Sequence, residues 1–497
     1  MGRHCLYLCL IGALALDLAG PVRASFDDAY LIAAADLARL PIEEQLYAVY
    51  LWQGDVPEDK RIEALRILSG HVNGLSREPA IAVPVPVCTD FSVIRASAKK
   101  YAWLRQVTED LIDADPFSVQ QIKIEWPGGL YPDGRTYAKG AFAWRVPVVG
   151  LRWFVWQTLQ QVDRKPGYYD FLGLKDRKDM DALSGFDRKV ADKAGRSDYL
   201  EAVKHSGVAA EPRRVVIQPV AEGRRYGTED SKLAIDLFDP LEVLDPKDAK
   251  HDAEEWIFFL PNDFLGFFLS DDKGTRQDSA PDFIGANEFA KSRDMRIHNA
   301  RACYDCHYKG KDGSRGFITF DPYFRRLHSD GVPVTSPVHA ALEVVERLYL
   351  RDIFARIDAD RQRHDAAVKQ ATGWGADEWA GKLLELVTEY DRGADAAEAA
   401  IYLGCKTEHV QQRLDDFRKK TGLLNPLFGD WIKRPESRIP RHQYHSRFGL
   451  LRKTVSYEVR QIDVRDLLLP VDYRLDLRGP ALPVRPAGPL PAIPPRP

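Results

Sequence analysis

The sequence predicts an α+β protein, mainly helical, with short β-hairpins and a disordered, proline-rich C-terminal tail. Three observations predict it. Apolar residues recur at helical spacing, as in Ile42, Leu46, Val49 and Tyr50 and in Ile62, Leu65, Leu68 and Val72. Two aromatic runs, Trp256-Ile-Phe-Phe-Leu260 and Phe264-Leu-Gly-Phe-Phe-Leu269, flank Pro261-Asn262-Asp263, a hairpin signal. The 497 residues are 45% apolar, 29% charged and 10% aromatic, which excludes a disordered or fibrous chain and leaves ample material for cores. Seventy Lys+Arg against 73 Asp+Glu give a net charge of −3, so no global field draws the chain to nucleic acid or an anionic membrane.

Taken in order, Arg3 and His4 precede an apolar run from Cys5 to Ala19 broken only by Asp17, and Val22-Arg23-Ala24 supplies an A-x-A-like cleavage site. Residues 1–24 therefore read as a signal peptide. The run is shorter than the ~20 residues needed to span a bilayer, and no later segment is long and apolar enough to do so. A periplasmic or otherwise extracytoplasmic mature chain is expected, with no transmembrane span. Residues 25–245 read as a mostly helical region with short strands: helix through Phe26 to Ser76 with Pro41 and Pro57 at helix starts, extended chain around Ile81 to Arg95, helix again from Tyr101 to Ile112 and at Trp153 to Trp156. Leu174 to Ser206, rich in charges of both signs, reads as solvated helix and loop.

Residues 246–375 hold the hairpin, a second turn at Asp271-Asp-Lys-Gly274, a cysteine motif and a helix marked by Leu342, Val345, Tyr349 and Ile353. Residues 376–478 read as helices over Trp379 to Tyr390, Ala394 to Leu403 and His409 to Lys419, then a late strand at Val455, Tyr457 and Val459. The last stretch, 479–497, has eight prolines and no core-forming pattern.

The chemistry lies in Cys303-Tyr304-Asp305-Cys306-His307. A C-x-x-C-H run lets each thiol add across one vinyl group of haem while the adjacent imidazole ligates the iron. With 6 Cys and 12 His in 497 residues, chance yields on the order of two such runs per thousand chains. A zinc half-site or a thioredoxin-like thiol pair are the alternatives, but no second Cys pair completes a zinc site and no βαβ pattern frames the motif. Export agrees with the haem reading, because covalent haem attachment is extracytoplasmic. The fold class thus gains a central cytochrome c-type haem segment, carrying one covalent haem c on Cys303 and Cys306 with His307 as the proximal axial ligand.

Several further stretches carry a resemblance: Leu68-Ser-Gly-His-Val-Asn-Gly-Leu-Ser-Arg-Glu-Pro79, Trp153-Phe-Val-Trp156, Tyr168-Tyr-Asp-Phe-Leu-Gly-Leu174, Phe258-Phe-Leu-Pro-Asn262 and Ala399-Ala-Ile-Tyr-Leu-Gly404. Together with the haem motif they span most of the mature chain. In these stretches the sequence resembles an uncharacterised family of exported bacterial proteins with one c-type haem site each. That family pattern has glycine after Leu-Pro-Asn and serine before the first haem cysteine, where this chain has Asp263 and Ala302. The resemblance implies haem binding and electron transfer with no established substrate, and only Cys303, Cys306 and His307 carry over as functional residues.

The sixth iron ligand decides between electron carrier and catalyst. No methionine follows His307, and the mature chain has only Met180 and Met295, so the usual downstream methionine is excluded. Met295 is a candidate distal ligand, with burial in a core as its alternative; His298, His328, His339 and His364 are candidates read first as surface histidines. Lys309, Lys311, Arg315, Arg325 and Arg326 could steer an acidic redox partner or simply form a solvated turn. His442 and His445 have a spacing that could chelate a metal but read first as a basic exposed loop, Cys88 and Cys405 could pair in an oxidising compartment but read first as separate thiols, and Phe258, Phe259, Phe264, Phe267 and Phe268 read as core, with walling of the haem as the alternative. The expected function is an exported single-haem electron carrier with redox protein partners. A haem enzyme acting on peroxide or another small oxidant, and a haem-based sensor, are the alternatives.

Overall fold

A computed structural model describes residues 26–117, 146–160, 166–187, 189–190, 198–202, 213–220, 223–231, 250–281, 298–308, 353–422, 427–455 and 477. Residues 1–24, Met295, His328, His339, the basic residues from Lys309 to Arg326, Leu342 to Tyr349, Tyr457 and Val459, and residues 479–497 lie outside them.

The architecture is α+β, with thirteen helices and two sheets among the described residues. The chain opens with α1 (Phe26–Leu37) and the short α2 (Ile42–Gln45), followed by β1 (Ala48–Trp52), α3 (Arg61–Asn73), β2 (Val85–Pro86), β3 (Val93–Ser97) and α4 (Arg105–Ala114). Then come β4 (Val148–Gly150), α5 (Leu151–Thr158), α6 (Tyr168–Leu172) and α7 (Arg177–Leu183). The first sheet has the order β2-β3-β1-β4, with β1 antiparallel to β3 and parallel to β4. The second is an antiparallel meander of β5 (Asp198–Ala202), β6 (Arg213–Val220), β7 (Gly223–Asp230), β8 (Ala253–Phe259) and β9 (Leu265–Asp271). The remaining helices are α8 (Arg301–His307), α9 (Ile353–Thr372), α10 (Ala376–Asp391), α11 (Ala396–Tyr402), α12 (Thr407–Thr421) and α13 (Arg441–Val455).

Three expectations are corrected. Helix was expected through Val49 and Tyr50, which instead lie in β1. The run Val49-Tyr50-Leu51-Trp52 is β-branched and aromatic, and it sits between β3 and β4 with every residue buried, so it lacks the alternation that marks a half-buried strand. The charged stretch read as helix and loop supplies α7 and also β5, the outermost strand of the meander. Val455 ends α13 rather than opening a strand, and His442 and His445 ride on that helix. The hairpin, the turn at Gly274 (φ 79°) and the three helices between residues 376 and 421 lie where expected.

Buried side chains from α1 to α13 join in one hydrophobic cluster. α3 is its axle, packed against α5, α9 and α10. Gly70 permits the closest of these approaches: a methyl group there would lie 2.2 Å from Nε1 of Trp379, whose indole N–H donates to the Ile67 carbonyl (3.1 Å). Elsewhere in the core, ions are buried. Asp55 accepts from the Tyr402 hydroxyl (3.1 Å) and faces Arg152 (3.7 Å), while Arg441 pairs with both oxygens of Glu398, donates to the Tyr390 and Gly393 carbonyls and covers the Tyr390 ring.

Candidate functional site around helix α8

Cys303, Cys306 and His307 lie on α8 at i, i+3 and i+4, so the two thiols and the imidazole share one helical face. All three are half-buried, and the neighbouring Ala302 and Tyr304 are buried. The helix begins under strain. Ala300, fully buried, has φ 62° and ψ −57°, and the Arg301 N–H donates to the Asn299 carbonyl (2.9 Å) across it, a γ-turn of the rarer hand. Arg301 in turn pairs with Asp391 of α10, whose other oxygen accepts from the Trp156 indole of α5.

The floor of the site is β9, an edge strand whose free backbone groups are covered by side chains. The Phe267 N–H donates to the Tyr168 hydroxyl (3.1 Å) and the Leu269 N–H to the Tyr169 hydroxyl (2.9 Å), while Asn299 Nδ2 reaches the Phe267 carbonyl (3.4 Å). Thus Tyr168-Tyr169 closes the sheet edge. Phe267, fixed in this way, packs edge-on against Tyr304 (5.1 Å) and nearly parallel to the His307 ring (6.5 Å, 25°).

Behind α8 stands an aromatic layer. Tyr304 and Tyr308 stack at 5.1 Å and 18°, and Trp379 meets Tyr304 edge-on at 5.6 Å. Gly74 leaves room for the Tyr304 hydroxyl, which a methyl group there would meet at 3.2 Å. Asn262 of the hairpin turn donates to the Asn73 carbonyl (2.9 Å), joining the turn to the end of α3. The stretches 68–79, 153–156, 168–174 and 258–262, far apart in sequence, therefore meet around this helix.

Burial, with the Glu255 carboxylate and Cys306 adding to it, pushes the Cys303 thiol well above its ordinary range. Two thiols and an imidazole on one helical face are the donor set that covalent haem attachment requires. Cys88 and Cys405 are free thiols, and burial raises the Cys405 thiol to about 11.

Of the residues considered as a sixth ligand, Met180 is buried in α7. His298 bridges to Ser279 just ahead of α8. His364 is not a surface residue: it is buried on α9, with Nε2 on the Tyr308 hydroxyl (2.9 Å) and Nδ1 on the Asp263 carbonyl (3.0 Å). Sequence reasoning missed Asn299, Tyr168, Tyr169 and this histidine as supports of the motif; the Tyr-Tyr pair was the only visible signal. His445 has its Nε2 on the Tyr390 hydroxyl (2.8 Å), so it is a packing residue.

Among the described residues one further group has metal-ligand chemistry, Glu229, His251 and Glu254. Its carboxylate is already saturated. Glu254 accepts from His251 Nε2 (2.9 Å), the Trp256 indole (2.9 Å) and the Ser270 hydroxyl (3.0 Å), and pairs with Arg177. Burial alone raises its pKa, but these partners outweigh burial and hold it down at about 2. The cluster is an ionic knot joining α7 to β7, β8 and β9. No helix among the described residues is long and apolar enough to cross a membrane. No family model, curated protein or solved structure matches the chain.

Proposed function

We propose that this chain is an exported single-haem c-type protein that exchanges one electron at a time with redox protein partners. The observation that carries the reading is the C-x-x-C-H run itself, whose two thiols and imidazole lie on one helical face. Haem held there supplies a reversible one-electron iron couple.

The protein's own residues do the positioning. Cys303 and Cys306, one helical turn apart, would hold the haem by two thioether bonds, and His307 on the same turn would offer its imidazole to the iron. Phe267 restrains that ring from the sheet side, while Tyr304 and Trp379 stop α8 from tilting into the core. A rigid, largely apolar support suits electron transfer, because little has to reorganise when a charge arrives.

The test is expression with export and haem-attachment capacity. Cys303→Ala combined with Cys306→Ala abolishes haem staining on a denaturing gel, whereas His307→Ala retains the stain and changes the visible spectrum. Staining that survives in the double variant rejects the attachment sites.

A further inference from the structure

Tyr308, the residue immediately after the candidate axial histidine, leaves α8 in extended conformation (φ −119°, ψ 143°) and is buried. Its hydroxyl meets Nε2 of His364 on α9 at 2.9 Å, and Nδ1 of His364 meets the backbone carbonyl of Asp263 at 3.0 Å. The direction of every proton follows. A carbonyl only accepts, so Nδ1 carries the hydrogen; Nε2 then offers a lone pair, and Tyr308 donates to it. Burial takes the His364 pKa down to about 4, against smaller opposing effects of the Asp263 carbonyl and nearby carboxylates, which agrees with a neutral ring.

Each end of this chain is anchored. Asp263 occupies the turn between β8 and β9 with φ 68°, a conformation that favours glycine, and its carboxylate pairs with Arg363, the neighbour of His364. Arg363 also lies over the Phe259 ring (4.9 Å), and the His364 ring meets Phe264 edge-on (5.8 Å). α9 thereby grips the hairpin with two consecutive residues. At the other end the Tyr308 ring is stacked on Tyr304 and edge-on to Trp379 (6.2 Å).

We propose that Tyr308, His364 and the Asp263 carbonyl form a clamp that fixes the orientation of His307 and so sets the axial field at the iron. This rests on the haem reading above. Tyr308 and His364 are positioning residues: they act through the peptide that joins Tyr308 to His307, while the Phe267 ring lies nearly parallel to the imidazole at 6.5 Å.

The experiment compares matured wild-type protein with Tyr308→Phe, His364→Phe, His364→Gln and Val368→Ala. Tyr308→Phe keeps the aromatic stack and removes only the hydroxyl. Val368, buried on the same helix, is the control for lost stability without lost hydrogen bonds. Expected is retained covalent haem in all four, with the ferric EPR pattern and midpoint potential moved in Tyr308→Phe and His364→Phe and unmoved in Val368→Ala. His364→Gln, which restores a donor and an acceptor, returns part of the shift. Covalent haem with wild-type EPR and potential in Tyr308→Phe and His364→Phe overturns the clamp alone. Absence of added haem mass in the wild-type protein removes the haem reading and the clamp together.

Discussion

The hydrogen bonds that join α8 and β9 to their neighbours are largely between neutral groups: tyrosine hydroxyls on backbone N–H groups and a histidine held between a phenol and a carbonyl. Around Asp55 they are ions, with Arg152 and Arg441 set against Asp55 and Glu398 and roofed by Tyr390, Tyr402 and Tyr444. The same fold thus buries polarity in two ways. Neutral hydrogen bonds fix directions without a large field, which suits a site whose own charge has to change by one. Buried ions bind distant elements together, here the loop after β1, α5, α11 and α13, but leave each partner dependent on the other.

The sharpest way to break this contrast is to remove one ion. Arg441→Ala leaves Glu398 buried beside Asp55 without its bidentate partner, and chemical denaturation should show a loss of about 3–5 kcal/mol. A loss no larger than an ordinary surface substitution would place the cluster in water rather than in the core. Gly70→Ala attacks the neutral side by steric means alone. The new methyl drives Trp379 from α3, and overpacking of this kind costs about 1–3 kcal/mol, read as a lower denaturation midpoint with altered tryptophan fluorescence.

Acid acts with opposite sign on two buried groups, Asp55 and His71, the latter on α3 with Nε2 against the Thr158 hydroxyl (2.7 Å). Burial raises Asp55 from an ordinary 3.8 to about 6 despite Arg152, so the folded state binds its proton first and this residue adds stability as pH falls from about 6 toward 3.8. Burial lowers His71 from 6.5 to about 3, so the unfolded state binds the proton first and stability is lost as pH falls through that window. Stability measured against pH should therefore fall more steeply in acid for Asp55→Asn and less steeply for His71→Gln. Parallel curves for both variants would contradict the assignment.

The smallest effect is expected from Ala300→Gly. It relieves a positive-φ alanine at the start of α8, but glycine also gains freedom in the unfolded chain, leaving a net stabilisation below about 1 kcal/mol in thermal unfolding.

Much of this arrangement was legible in the residues, and the reasons are physical. C-x-x-C-H states its own spacing rule. Pro261-Asn262-Asp263 between aromatic runs states a turn, and Asp263 takes the left-handed backbone that such a turn requires. The helices between residues 376 and 421 have an apolar face each, and their spacing marks them. What stayed hidden depended on partners distant in sequence. β1 looks helical because both of its faces are buried, and β6 and β7 passed unnoticed although Val215, Ile217 and Tyr226 flank a two-residue connection. His364 reads as a surface histidine until α9 folds against the hairpin. A hydrogen-bond partner a hundred residues away leaves no local pattern.

The most direct test of the central claim is mass analysis of the peptide spanning residues 303–307, taken from protein exported and matured by cells that attach haem. The account predicts one haem added through both Cys303 and Cys306, persisting after denaturation. Two thiols open to alkylation, or a bond between Cys303 and Cys306, would contradict it.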